Sequence, residues 1–131
     1  MSVGRGVEIR VSSLQFDETL ARLRSVIAER GLRLFDVIDH QAAAAEAGLA
    51  LRPTRVLVFG SPAAGTPLMV EWPLLALELP LRIVVWQGDD NRTRLGYLTA
   101  EPLVAQFQLD PAKVAALGAP AALVDDALGE D

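Results

Sequence analysis

Two apolar runs separated by a four-residue turn constrain this chain more than any other feature. LPLRIVVWQ ends at Gln87, GDDN fills positions 88–91, and RTRLGYLT runs on to Thr99. The second run alternates, with Leu95 and Tyr97 on one face. Strands joined by so short a connection lie antiparallel, because a parallel pair needs a crossover of about a dozen residues or more. A doubly wound parallel sheet is therefore excluded.

The rest of the pattern is built around that hairpin. Val7, Ile9 and Val11 alternate with Glu8 and Arg10, the signature of a half-buried strand. Phe16, Leu20, Leu23, Val26 and Ile27 recur at helical spacing, with Asp17 and Glu18 in the first turn and Gly31 as the stop. Leu32 to His40 reads as a second strand, QAAAAEAG as a short helix ended by Gly48, and TRVLVFG as a third, more buried strand. Thr66 is placed to cap a short helix that has Pro67 at its first position. EPLVAQFQL is a further short helix, and an Ala-rich helix follows Asp110-Pro111, interrupted at Gly118 to Pro120 and fraying over the last residues. The order is β-α-β-(α)-β-(α)-β-β-α, which predicts an α+β sandwich with helices on one face.

Composition removes several functions. At 131 residues the chain suits one domain with a true core. Hydrophobic residues make up 51% and mean hydropathy is +0.30; either a buried subunit interface, and with it a homodimer, explains the excess, or alanine inflates the scale at little area per residue. Net charge is −5 and the single lysine is Lys113, which leaves no basic patch for nucleic acid or an anionic membrane. There is no cysteine, which excludes thiol catalysis, disulfides and Cys-ligated metals. The start lacks the apolar core of a signal peptide, and these features together fit a cytoplasmic protein. The most apolar stretch, PLMVEWPLLALELPLRIVVWQ, carries Glu71, Glu78 and Arg82 and is broken by Pro73 and Pro80. Each charge at bilayer depth costs roughly 2.5–3.5 kcal/mol, so this stretch reads as buried globular structure.

Few residues offer chemistry. Gly60 and Gly65 stand at P-loop spacing in VLVFGSPAAGTP, but Thr66 occupies the lysine position and Pro67 the hydroxyl position. Pro62 removes another backbone N–H from the cradle. What survives is a helix start after Thr66 suited to a small anion. Ser61 lacks the elbow of a hydrolase nucleophile. His40 is the only histidine, beside Asp39 and two positions from Asp36. It is either an acid–base unit with one of them or a structural strand-end residue. Alternation puts Asp36 and His40 on one face and Asp39 on the other, which argues against a metal site. Glu71 and Glu78 are read as exposed charges. Phe59, Trp72, Trp86 and Tyr97 either pack the core or line an apolar pocket.

From Asp39-His40 through the Ala-rich helix closing at Gly48, then LRPTRVLVFG into SP, GTPLM, LPLRIVVW and the Tyr97 strand, the chain resembles the DUF302 family. The upstream SLQFDETLARLRSVIAERGLRLFDVIDH is similar to that family's first strand–helix–strand. The resemblance spans about residues 5–107, with a C-terminal helix at about 111–128 beyond it. It implies a TBP-like α+β fold, a curved antiparallel sheet with helices packed on one face, often dimeric. It implies no activity and no cofactor. Family members usually carry Asn where this chain has Ser61; either side chain can hydrogen-bond its own loop. The resemblance points to Asp39, His40, Gly60, Ser61 and Pro62 as site positions, and Thr66 and Tyr97 join them on the grounds above. The expectation is a small apolar or anionic ligand held in a cleft between sheet and helices, His40 and the Gly60–Pro62 turn supplying polar contacts. A homodimeric interaction module is the next reading, and an enzyme using His40 the last.

Overall fold

The 81–98 hairpin lies in the middle of the sheet. A computed structural model describes residues 2–3, 6–115, 117 and 119–129. The strands are β1 (Ser2–Val3), β2 (Val7–Ser12), β3 (Arg33–Asp39), β4 (Thr54–Gly60), β5 (Leu81–Gln87) and β6 (Thr93–Leu98). They form one six-stranded sheet in the order β1-β2-β6-β5-β4-β3, each neighbouring pair antiparallel. In the hairpin turn, the Gly88 N–H donates to the Arg92 carbonyl and the Asn91 N–H to that of Gly88. Asn91 sits at φ 64°, a left-handed conformation that asparagine tolerates.

Six helices and one 3-10 turn accompany the sheet among the described residues. They are α1 (Phe16–Glu29), α2 (His40–Glu46), α3 (Pro62–Glu71), the 3-10 turn (Pro73–Leu77), α4 (Glu101–Phe107), α5 (Pro111–Ala115) and α6 (Pro120–Leu128). α1 ends as its sequence demands. Gly31 takes φ +70° and donates to the Ala28 carbonyl, while Leu32 donates to Ile27, so two terminal carbonyls are satisfied. The same pair of bonds closes α2 at Gly48 and Leu49. Gly118, Glu130 and Asp131 lie outside the described residues, and of the stretch 125–131 expected to fray, Asp125 to Leu128 instead complete α6, which Gly129 closes at φ +73°.

Two boundaries differ from expectation. His40 is not the end of a strand: β3 stops at Asp39, and His40 opens α2. Asp39 caps that helix, its Oδ1 accepting from the Ala42 N–H at 2.9 Å. Nor does Thr66 cap α3. Ser61 does, its Oγ accepting from the Ala64 N–H at 3.2 Å, and Pro62 takes the first turn. Ser-Pro and Thr-Pro five residues apart carry the same start signal, and the earlier one is joined directly to β4. Thr66 is thus an exposed helix residue, and Pro67 lies within the helix.

Register sorts the strand residues onto two faces. Leu57, Ile83, Val85 and Leu95 point to one side and are fully buried under α1 and α6, against Leu23, Val26, Ile27, Leu123 and Val124. An ion pair and two side-chain hydrogen bonds tie the covering helices down. Arg10 Nη1 on β2 meets Asp125 Oδ1 on α6 at 2.6 Å, and Arg22 on α1 donates to the Asp126 and Ala127 carbonyls. At the end of the sheet where β4 finishes and β5 begins, Leu68, Leu75, Leu109, Val114 and Leu117 form a second, smaller cluster. Leu81 packs against both clusters.

Candidate functional site

The other face of the sheet carries a broad concavity. Ile9 pairs with Gly96, Gly96 with Val84 and Val84 with Val56, so these four form one row across the sheet. Val7, Leu98 and Trp86 extend that face. These strands are apolar on both sides, which in a sheet signals cover on both faces. Here α1 and α6 cover one face, whereas Ile38, Val11 and Leu98 on the other are 39–48% exposed. α4 and the corner between α5 and α6 wall off part of it, leaving a cleft of about 800 Å³. That lies within the range of small-molecule sites, roughly 300–1,000 Å³.

Gly96 shapes the floor. A Cβ built there would stand 3.2 Å from Val84 Cγ1 and 3.3 Å from Trp86 Cζ3. The indole therefore leans over the glycine, against bare backbone. Polar groups gather at the α4 end. Glu101 opens α4, and its carboxyl is held below the usual range, first by the Thr99 side chain and then by its own backbone N–H. Arg82, on β5 two residues from Val84, lines the same cleft with its side chain exposed. Among the described residues it has no ion pair.

The expected site residues do not converge. Asp39 pairs with Arg55 in register and Gly60 with Arg33, placing the two at opposite ends of the β3–β4 hairpin. Five residues of strand separate Arg55 from Gly60, about 17 Å. His40 beyond one end and Ser61 and Pro62 beyond the other cannot contact one small ligand. His40 is exposed and lies outside the cleft lining. The carboxylates beside it are engaged elsewhere. Asp36 accepts from the Val37 N–H at 2.8 Å, and Asp39 Oδ2 lies 3.0 Å from Arg55 Nε. The Ala42 N–H first, and then Arg55, hold the Asp39 carboxyl below its ordinary range. Gly60, Ser61, Pro62 and Thr66 are likewise outside the lining.

Tyr97 is the one expected site residue that borders the cleft, but its register with Ile83 places its side chain on the covered face of the sheet. It is also a core residue, and burial pushes its hydroxyl pKa up while Arg10 opposes the shift. Of the other aromatics, Trp86 lines the cleft, Phe59 is fully buried in the main core, and Trp72 packs edge-on to Phe107 at 6.2 Å. Arg82, Val84 and Gly96 were not singled out from sequence. The alternation of Arg82, Val84 and Trp86 was the available signal, since it places all three on one strand face. No group of three or more His, Cys, Asp or Glu among the described residues is placed to hold a metal.

An antiparallel α+β domain with one covered sheet face and one apolar cleft is thus the class that fold and site define. The chain belongs to the DUF302 family, a domain of unknown function, whose model matches residues 7–127. It is similar in fold to the crystal structure of an uncharacterized conserved DUF302 protein from Bacillus stearothermophilus, with a TM-score of 0.76 and 22% identity. That likeness covers 95% of this chain and 96% of the other. Over 78 residues it is 37% identical to proteins named fluoride-specific ion channel FluC 1 from Brucella suis biovar 1 and from Brucella abortus biovar 1. The match takes in 60% of this chain but 31% and 29% of those proteins, so the chain spans under a third of the curated relatives it matches. No described helix is long and apolar enough to cross a membrane.

Proposed function

We propose that this domain binds a small, largely apolar molecule in the cleft between the uncovered sheet face and α4. The observation that carries this reading is the cleft itself: about 800 Å³, floored by Ile9, Val56, Val84 and Trp86, with a few polar groups at one end. Burying apolar surface of ligand and floor together supplies the affinity, at roughly 25 cal/mol per Å² before the cost of association. The small set of polar groups fixes orientation. The Brucella relatives are channels by name, and a segment like this one makes up under a third of them. That arrangement suits a ligand-responsive module attached to another activity.

The test is binding of an uncharged solvatochromic dye, read by its emission and by the melting temperature of the protein. Gly96→Val, which pushes side-chain atoms into the floor beside Val84 and Trp86, should abolish binding in protein that remains folded by circular dichroism. Dye binding unaffected by Gly96→Val, or no dye binding at all, would sink the reading.

The exposed Val11, Ile38 and Leu98 on the same face favour a second reading, a homodimer that closes the two sheet faces on each other. Sedimentation at micromolar concentration decides it. A dimer weakened by Leu98→Glu is the expected result, and a monomer throughout counts against it.

A further inference from the structure

The cleft is asymmetric along β5. Arg82, Val84 and Trp86 alternate on its exposed face, and all three line the cleft. From Arg82 to Trp86 is four residues of strand, about 13 Å, the reach of a roughly ten-carbon chain. At one end the indole lies over Gly96, with only backbone beneath it. At the other stands a guanidinium with no ion pair among the described residues. Between them are Val84 and, in the same row, Val56 and Ile9.

We infer that the ligand is an amphipathic carboxylate, an acyl or aryl chain lying along β5 with its tail on Trp86 and its carboxylate on Arg82. This rests on the cleft-binding reading above and adds the chemical class and orientation of the occupant. A guanidinium offers a carboxylate two parallel N–H donors, and such charge-assisted pairs are about twice as strong as neutral hydrogen bonds. Two carboxylates also border the cleft, Glu78 and Glu101. Glu101 is held anionic by Thr99 and its own N–H, but it stands on α4, off the β5 line of Arg82, Val84 and Trp86. Glu78, four residues before Arg82, is the residue that would hold an amine if the polarity were reversed.

The chain has two tryptophans, so Trp72→Phe leaves Trp86 as the sole indole reporter. In that background, Trp86 emission is titrated with decanoate, decanol and decylammonium below their micelle-forming concentrations, with and without Arg82→Gln. Decanoate should bind tightest, and Arg82→Gln should weaken it about tenfold, the scale of one charge-assisted contact, while leaving decanol unchanged. Arg82 is exposed, so its replacement should leave the melting curve unchanged. Equal binding of decanoate and decanol, equal weakening of both by Arg82→Gln, or tighter binding of decylammonium overturns the carboxylate assignment and leaves the apolar cleft standing. Binding of none of the three removes the cleft reading and this inference with it.

Discussion

Arg10 on β2 and Asp125 on α6 are 115 residues apart in sequence, and their charged groups meet at 2.6 Å. The contact ties the C-terminal helix to the strand beside the central hairpin. Both side chains keep some solvent access, at 23% and 38%, so screening limits their coupling to about 1 kcal/mol or less. Asp125→Ala should lower the melting temperature by a few degrees. A double-mutant cycle with Arg10→Gln isolates the pair from the other contacts of Arg10. Additive losses would show that the pair contributes nothing.

Acid should loosen both hairpins through two carboxylates. Asp39 is held below its ordinary pKa first by the Ala42 N–H and also by Arg55; Asp90 is held below it first by Arg94 and then by the Arg92 N–H. A depressed folded-state pKa means the unfolded chain takes up the proton first. The stabilisation is therefore complete above the unfolded value, about 3.9, and is lost as pH falls through the lower folded value. Urea midpoints at pH 7, 4 and 3 should fall more steeply for the parent than for Asp39→Asn or Asp90→Asn. Parallel pH profiles would contradict this.

Ser61 and Thr66 should respond in opposite ways. Ser61→Ala removes the cap from the Ala64 N–H and should cost about 1 kcal/mol. Thr66→Ala replaces an exposed residue inside α3 with a better helix former and should be neutral or stabilising by up to about 0.5 kcal/mol. Chemical denaturation of the two variants compares them directly; a larger loss at Thr66 would restore it as the cap.

Leu123, on the inner face of α6, is fully buried, whereas Leu77 is 78% exposed. Leu123→Ala should cost about 2–5 kcal/mol and speed amide exchange along α6. Leu77→Ser should fall within about 0.5 kcal/mol of the parent. A mild effect at Leu123 would mean that α6 is not a structural cover for the sheet.

Local signals made much of the fold legible. The turn at 88–91 with its flanking alternation announces the β5–β6 hairpin, because turn length and side-chain period are properties of neighbouring residues. The period of α1 and the glycine after it act over one or two turns, and the observed bounds follow them. The start of α3 was misplaced at Thr66-Pro67, because Ser61-Pro62 five residues earlier carries the same cap and proline signal.

The site depended on contacts no local signal reports. Alternation places Arg82, Val84 and Trp86 together, but β5 is apolar on both sides, so it does not say which face the helices cover. The docking of α1 and α6 over Leu57, Ile83 and Val85 settles that, and it leaves Val56, Val84 and Trp86 to floor the cleft. Asp39-His40 and Gly60-Ser61 lie near each other in sequence, yet antiparallel register sets them at opposite ends of one hairpin. By itself, then, the sequence determined an antiparallel α+β domain, the hairpin at its centre and the ends of its longest helix, all through interactions between neighbours. Tertiary packing alone decided which sheet face stays open, because that choice depends on helices brought in from far along the chain.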